Sequence, residues 1–278
     1  DALTPSFFLQ MRSEISMEAV SINKMLFTLR VFFRFLLCHN YVNQSPMQDV
    51  PLLKENITVP FIFSRKQTNQ LITAIDKKIR RTERFFLTDL AIYLALLLLA
   101  RCGLRISEPL RLLRTHYRTD DCTIYIEKTK FKKDRLIPVP IAVTKEINNY
   151  LAVRQSLIPE DQSPYLLAGK NQKQLKAYKV RSVFHQAVKD IGLEQTRIVI
   201  GNMNFNPPTP HSLRHSFAIN TLRGVIEKGK SAQEALPVLS AYLGHKKYHY
   251  SSVYLKVADA QARSDLFDFS IWQEWKKI

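Results

Sequence analysis

The run LAIYLALLLLA at residues 90–100 constrains this chain more than any other stretch. It is too short to cross a bilayer, which takes about 20 apolar residues as a helix, and Asp89 stands directly before it. An apolar surface all round marks a helix enclosed by other elements. The spacing predicts this helix over 86–102, ending at Gly103, where a left-handed residue can terminate it. A helix of this kind needs a ring of partners. The chain has 278 residues, 46% of them hydrophobic and 23% charged, which suffices to build one large domain with or without a smaller one.

Candidate partners are readable on either side. Ile22, Met25, Leu26, Leu29, Phe32, Phe33, Leu36 and Leu37 recur at three and four spacings, so residues 14–41 predict one or two helices of a small N-terminal module. Residues 40–60 hold turn residues and three prolines and read as a linker. A helix then starts after a Ser64 cap and runs to about Arg81. TIYIEKTKFKKDRLIPVP at 123–140 alternates on both sides of a basic turn, the pattern of a β-hairpin. Further helices are predicted over 141–155, 174–191, 210–224, 231–243 and 250–265. The expected class is mainly α with one small antiparallel sheet (α+β), with a short unit over 1–55 and a larger domain over 56–278.

The formal net charge is +17 and the sequence pI about 9.8. A balance that basic implies a polyanionic partner. Residues 61–135 hold 17 Lys or Arg against 8 Asp or Glu. The hairpin tip packs Lys128, Lys130, Lys132, Lys133 and Arg135 together, and like charges that close repel unless a polyanion neutralises them. Clustering on a hairpin, not on one amphipathic helix face, favours DNA over a membrane surface. Cys38, Cys102 and Cys122 are far apart and form no C-x-x-C pair, so no metal site is expected and a reduced compartment fits. With no basic-then-apolar leader at the start, the expected location is cytoplasmic and nucleoid-associated.

Four separated boxes carry chemistry. CGLRISEPLRL (102–112) offers Arg105 and Glu108, and the hairpin offers Lys130. TPHSLRHSFA (209–218) offers His211, Arg214 and His215 at the start of a helix capped by Thr209, with Pro210 in its first position. YLGHKKYHYSSVYLKV (242–257) offers His245 and then Tyr254. Two arginines, a lysine, two histidines and a tyrosine suit transfer of a phosphodiester to tyrosine. Two guanidiniums clamp the non-bridging oxygens and stabilise the pentacoordinate state. A lysine protonates the departing 5′ oxygen while a histidine takes or orients the tyrosine proton. Tyrosine then holds the phosphate covalently. The arginines supply the positive charge, so no metal or cofactor is required.

GLRISE, the basic hairpin ending KKDRLIPVP, HSLRHSFA and YLGHKK…Y together resemble the signature boxes of the tyrosine recombinases, the phage-integrase and Xer group, over roughly residues 61–265. The resemblance implies that Arg105 and Arg214 form the phosphate clamp, His211 is the general-base-type histidine and His245 sits against the scissile phosphate. Tyr254, nine residues past His245, would be the nucleophile. Lys130 would be the lysine of the hairpin turn; by their charge Lys128, Lys132, Lys133 and Arg135 read as DNA contacts, and Glu108 and His215 read as supporting residues. Residues 1–55 would be the final part of a helical DNA-clamping domain, and the start at Asp1 reads as a truncation. RGVIEKGKSAQEA, between Arg214 and His245, lengthens that interval by about eight residues over Xer-type enzymes and resembles integrases of mobile elements.

The expected activity is site-specific cutting and rejoining of double-stranded DNA through a 3′-phosphotyrosine and a Holliday junction. Two readings compete with it. A type IB topoisomerase shares the chemistry, but its version of the H-x-x-R box usually lacks the histidine, so His211 argues against it. A DNA-binding module without catalysis would have lost residues that are all present here. Simpler roles stand beside the catalytic ones: Arg105 could cap the buried helix electrostatically, His215 could pack in a core, and Tyr242, Tyr248 and Tyr250 read as packing or DNA-contact residues. The apolar tail DLFDFSIWQEWKKI, from about residue 265, suggests a short amphipathic helix that could fold back on its own domain; the resemblance implies instead that it docks on a neighbouring protomer in a homo-tetramer.

Overall fold

The computed structural model describes residues 3–127, 134–169, 171–245 and 254–255, and the statements below concern these residues. The hairpin tip 128–133, most of the predicted helix 250–265 and the tail from 265 lie outside them. The chain divides into two units, one made of the N-terminal part through Val59 plus Arg197–Asn206, the other of the remainder.

The N-terminal unit begins with α1 (Pro5–Glu14), whose cap Thr4 accepts a hydrogen bond from the Phe7 N–H at 3.3 Å. It continues into α2 (Ala19–Cys38). Phe8, Ile22, Leu26, Phe33, Met47 and Val50 form its core. Asn23 pins the following segment by donating to the Leu53 carbonyl and accepting from the Leu53 N–H, both at 2.9 Å. The stretch read as a linker ends in a strand, β1 (Ile57–Val59).

In the larger unit Ser64 caps α3 (Arg65–Asp76) through a reciprocal capping box with Gln67. This helix ends five residues before the predicted Arg81. There the chain turns so that Arg80 forks onto Asp89 at 2.7 and 2.8 Å and lies 3.9 Å over the Phe85 ring. The apolar run forms α4 (Phe86–Cys102), with every residue from Ala91 to Ala100 buried, and Gly103 closes it at φ +60°. Next come α5 (Ser107–Arg111), β2 (Tyr117–Arg118), β3 (Thr123–Ile126) and β4 (Arg135–Pro138), the strands forming an antiparallel β2-β3-β4 sheet. Then follow α6 (Ile141–Leu157) and α7 (Ala177–Asp190).

A second hairpin, β5 (Ile198–Ile200) and β6 (Met203–Phe205), belongs to the N-terminal unit. There β6 runs parallel to β1, with Ile57 opposite Met203, so the fold carries two small sheets where one was expected. Strands of three residues are too short to display alternation, and β1 finds its partner far along the chain. The larger unit resumes with α8 (Pro210–Ile226) and α9 (Ala232–Leu243). Helices α3, α6, α7 and α8 pack around α4, supplying the ring that its apolar surface demands. Among the described residues no helix is long and apolar enough to cross a membrane.

Candidate active site

The site is built where two helices end on left-handed glycines. Gly103 closes α4 and Gly244 closes α9 at φ +65°. Carbonyls at a helix C-terminus carry partial negative charge and lack intrahelical partners, and here guanidiniums fill that role. Arg214, on the first turns of α8, donates to the Gly103 carbonyl at 2.7 Å and to the Leu243 carbonyl at 2.5 Å. Arg105 reaches the Gly244 carbonyl at 3.4 Å. The electrostatic cap on the end of α4 is thus Arg214, while Arg105 turns to the end of α9.

One buried carboxylate organises the arginines. Glu108, at the start of α5, has a side chain only 2% exposed. It accepts from the Arg105 N–H at 2.8 Å and Arg105 Nη1 at 3.0 Å, and from Arg135 Nη1 and Nη2 at 3.0 and 2.9 Å. Burial pushes its carboxyl up, but the Arg135 hydrogen bonds and charge, with the Arg105 N–H, outweigh that and hold it below the usual range. Arg214 is buried, and burial followed by repulsion from Arg105 lowers it to about 10, so it stays cationic at neutral pH. Three guanidiniums around one carboxylate leave a local excess of two positive charges. A phosphodiester approaching its doubly charged transition state needs that complement.

Arg135 corrects the sequence reading. Expected as a DNA contact on the hairpin tip, its side chain is 9% exposed, clamped on Glu108, with Nε donating to the Tyr242 carbonyl at 2.9 Å. The signal was present: along β4, Arg135 shares the period-two face of the buried Ile137, whereas Leu136 points outward. Lys128, Lys130, Lys132 and Lys133 lie outside the described residues.

Three imidazoles and a phenol complete the cluster. Tyr254 is buried, and burial raises its hydroxyl against the opposing pull of Arg214 and Arg105. His245 stacks on its ring at 6.1 Å between centroids. The partner of the Tyr254 hydroxyl is His215, with Nδ1 and Oη 3.2 Å apart. His211, in the first turn of α8, meets the His215 ring edge-on at 4.5 Å. Burial first, then neighbouring cations, lower all three: His211 below its ordinary value, His215 to about 3 and His245 to about 4. Tyr242, read as a packing residue, stacks on Phe217 at 5.5 Å, and burial raises its hydroxyl. Tyr248 and Tyr250 lie outside the described residues.

The structure therefore gathers Arg105, Glu108, His211, Arg214, His215, His245 and Tyr254, and adds Arg135. Residues 62–261, a span holding all eight, match the phage integrase family. The chain belongs to the phage integrase family. Among relatives of known name, a Sinorhizobium fredii protein described as an integrase/recombinase, y4rB, is 28% identical over 218 residues, 78% of this chain and 68% of that protein. The tyrosine recombinase XerA of Thermococcus kodakarensis is 27% identical over 237 residues, 85% of this chain and 71% of that protein. The fold is shared with solved structures. A lambda integrase dimer bound to a core site gives a TM-score of 0.63 at 17% identity, over 90% of this chain and 64% of that one. The Tn1549 transposon integrase with circular-intermediate DNA gives 0.64 at 17% identity, over 91% and 81%. The chain spans about two thirds of the lambda integrase chain it matches. As in the phage integrase relatives, its core is mainly α with small sheets.

Proposed function

We propose that this chain is a site-specific DNA recombinase that cleaves and rejoins double-stranded recombination sites through a 3′-phosphotyrosyl link to Tyr254. The observation that carries the reading is a buried tyrosine hydroxyl beside a cluster with an excess of two guanidinium charges. In this reading Arg105 and Arg214 hold the non-bridging oxygens, His245 faces the phosphate, His211 lines its open side, and Lys130 protonates the leaving 5′ oxygen. Lys128, Lys132 and Lys133 bind flanking phosphates, and residues 1–55 contribute part of a DNA clamp. The arginines do the electrostatic work that metal ions do in other phosphoryl-transfer sites, so the reaction runs without metal.

The assembly we propose is a homo-tetramer coupled by exchange of the tail from about residue 265, resolving a Holliday junction. A lambda integrase tetramer bound to such a junction has the same fold. The biological role proposed is mobility of a genetic element, supported by the fold of the Tn1549 transposon integrase and by the long interval between Arg214 and His245. The corresponding location is the cytoplasm, on the nucleoid.

A nicked suicide substrate tests the chemistry. The chain should form a covalent DNA adduct in EDTA, and Tyr254→Phe should bind DNA but form none. An adduct with the Phe variant, or activity that EDTA removes and magnesium restores, overturns the reading. A recombined junction among the products separates recombination from simple relaxation.

A further inference from the structure

The likeness to the tyrosine recombinases gives the base role to His211, yet the imidazole in contact with the reacting oxygen is that of His215. Its Nδ1 stands 3.2 Å from Tyr254 Oη, whereas the ring contact of His211 is with His215, edge-on at 4.5 Å. The charged and titratable groups facing His215 are His211 and Arg214 from α8, His245 from the end of α9, and Tyr254 itself. Arg105 adds its field at the tyrosine. Burial and these neighbours keep the His215 imidazole neutral at physiological pH. A neutral imidazole carries one acceptor nitrogen, and burial keeps the Tyr254 phenol protonated. The hydroxyl is therefore the donor and Nδ1 the acceptor.

We infer that His215, through Nδ1, aims the Tyr254 hydroxyl and takes its proton as the oxygen attacks the phosphate; this rests on Tyr254 being the nucleophile. The Oη–P bond forms as the P–O5′ bond breaks, the phenolic proton passes to Nδ1, and the departing 5′ oxygen receives a proton from Lys130. On religation the 5′ hydroxyl attacks, giving up its proton to Lys130, and Tyr254 recovers its own from His215. Without DNA, burial first and then the surrounding positive charge make an imidazolium at 215 costly, so the tyrosine stays protonated and inert. The negative charge of a bound phosphodiester offsets that repulsion and raises the proton affinity of Nδ1. Substrate itself thus activates the nucleophile.

The test is single-turnover cleavage of the suicide substrate at saturating DNA, from pH 5.5 to 9.5, for the unaltered chain, His215→Asn and His215→Leu. Asn keeps an acceptor near the position of Nδ1 but cannot carry the proton. Its rate should fall at least about 10²-fold at pH 7 and then rise about tenfold per pH unit, because hydroxide must take the proton. The unaltered chain should give a flat profile, and His215→Leu, lacking an acceptor, should be slower than His215→Asn. DNA affinity and melting temperature of His215→Asn should match the unaltered chain. A flat profile or an unaltered rate for His215→Asn overturns the inference, whether or not His215→Leu folds. Adduct formation by Tyr254→Phe would instead overturn the nucleophile assignment.

Discussion

Removing the Glu108 carboxylate should destabilise the protein far more than its single charge suggests. In Glu108→Ala the Arg135 side chain stays 9% exposed with two Nη donors facing no acceptor, and Arg105 loses the group holding its N–H and Nη1. Breaking a buried pair from one side costs about 3–5 kcal/mol, because the remaining charge is uncompensated. At roughly 2–4 °C per kcal/mol for a domain of this size, melting should fall by about 6–20 °C. Urea unfolding measures the free energy, and a paired variant isolates its cause. Glu108→Leu combined with Arg135→Met removes both charges, and Arg105, 22% exposed, can turn to water. Most of the stability should return, while cleavage stays low because Arg105 is no longer held. The carboxylate is depressed below its ordinary 4.5, so its contribution is present above that value and lost as pH falls through the lower folded value. The unaltered chain should therefore lose more stability than Glu108→Gln as pH falls below about 4.5. A loss under 1 kcal/mol in Glu108→Ala, or a double variant no more stable than Glu108→Ala alone, refutes the reasoning.

Gly103→Ala forces a side chain into the left-handed region and places Cβ 2.5 Å from Phe217 Cδ1; strain and overpacking together should cost roughly 2–5 kcal/mol, read by denaturant titration. The ring protons of His215 and His245, held near 3 and 4, should show no NMR titration between pH 5 and 8. Both imidazoles are depressed relative to the unfolded value of 6.5, so stability should decline as pH falls below that value; a midpoint near 6.5 for either would contradict the burial described. Neutralising Lys132 and Lys133 together should flatten the salt dependence of DNA binding by about two units of slope if both contact phosphate, and an unchanged slope would remove them from the interface.

The sequence was most legible where periodicity and punctuation agree. The apolar run, its glycine stop, the Ser64 cap and the Pro210 start of α8 all stand where local chemistry places them. Each depends on contacts within one helix turn. The β1–β6 pairing depends on contacts across 146 residues and on strands too short to alternate visibly. The site shows the same divide. Residue types and order pointed to Arg105, Arg214, His245 and Tyr254, but which imidazole meets the hydroxyl is a matter of where α8 turns its face. His211 and His215 lie one helical turn apart and are equivalent as letters. Only packing against Tyr254 separates them.

Arg135 carries the argument furthest, because a charge reading and a strand reading of the same residue conflict. Lys128, Lys130, Lys132 and Lys133 crowd the tip beside it, which suggests solvent and phosphate. Its register with Ile137 puts it on the inner face. A guanidinium on an inner face needs hydrogen-bond acceptors, and Arg135 finds the carboxylate that also holds Arg105. Arg105 and Arg214, the phosphate clamp of the function proposed above, are thus held by the protein itself, one by the Glu108 carboxylate and the other by the helix-end carbonyls at Gly103 and Leu243. Charge held in place in this way needs little rearrangement as the transition state forms, which is where preorganised donors lower a barrier most. It follows that Arg135→Lys, though it keeps the charge, should slow cleavage: one ammonium cannot hold both Glu108 oxygens and the Tyr242 carbonyl at once. If Arg135→Lys cleaves at the unaltered rate, the guanidinium fork is not what fixes Arg105.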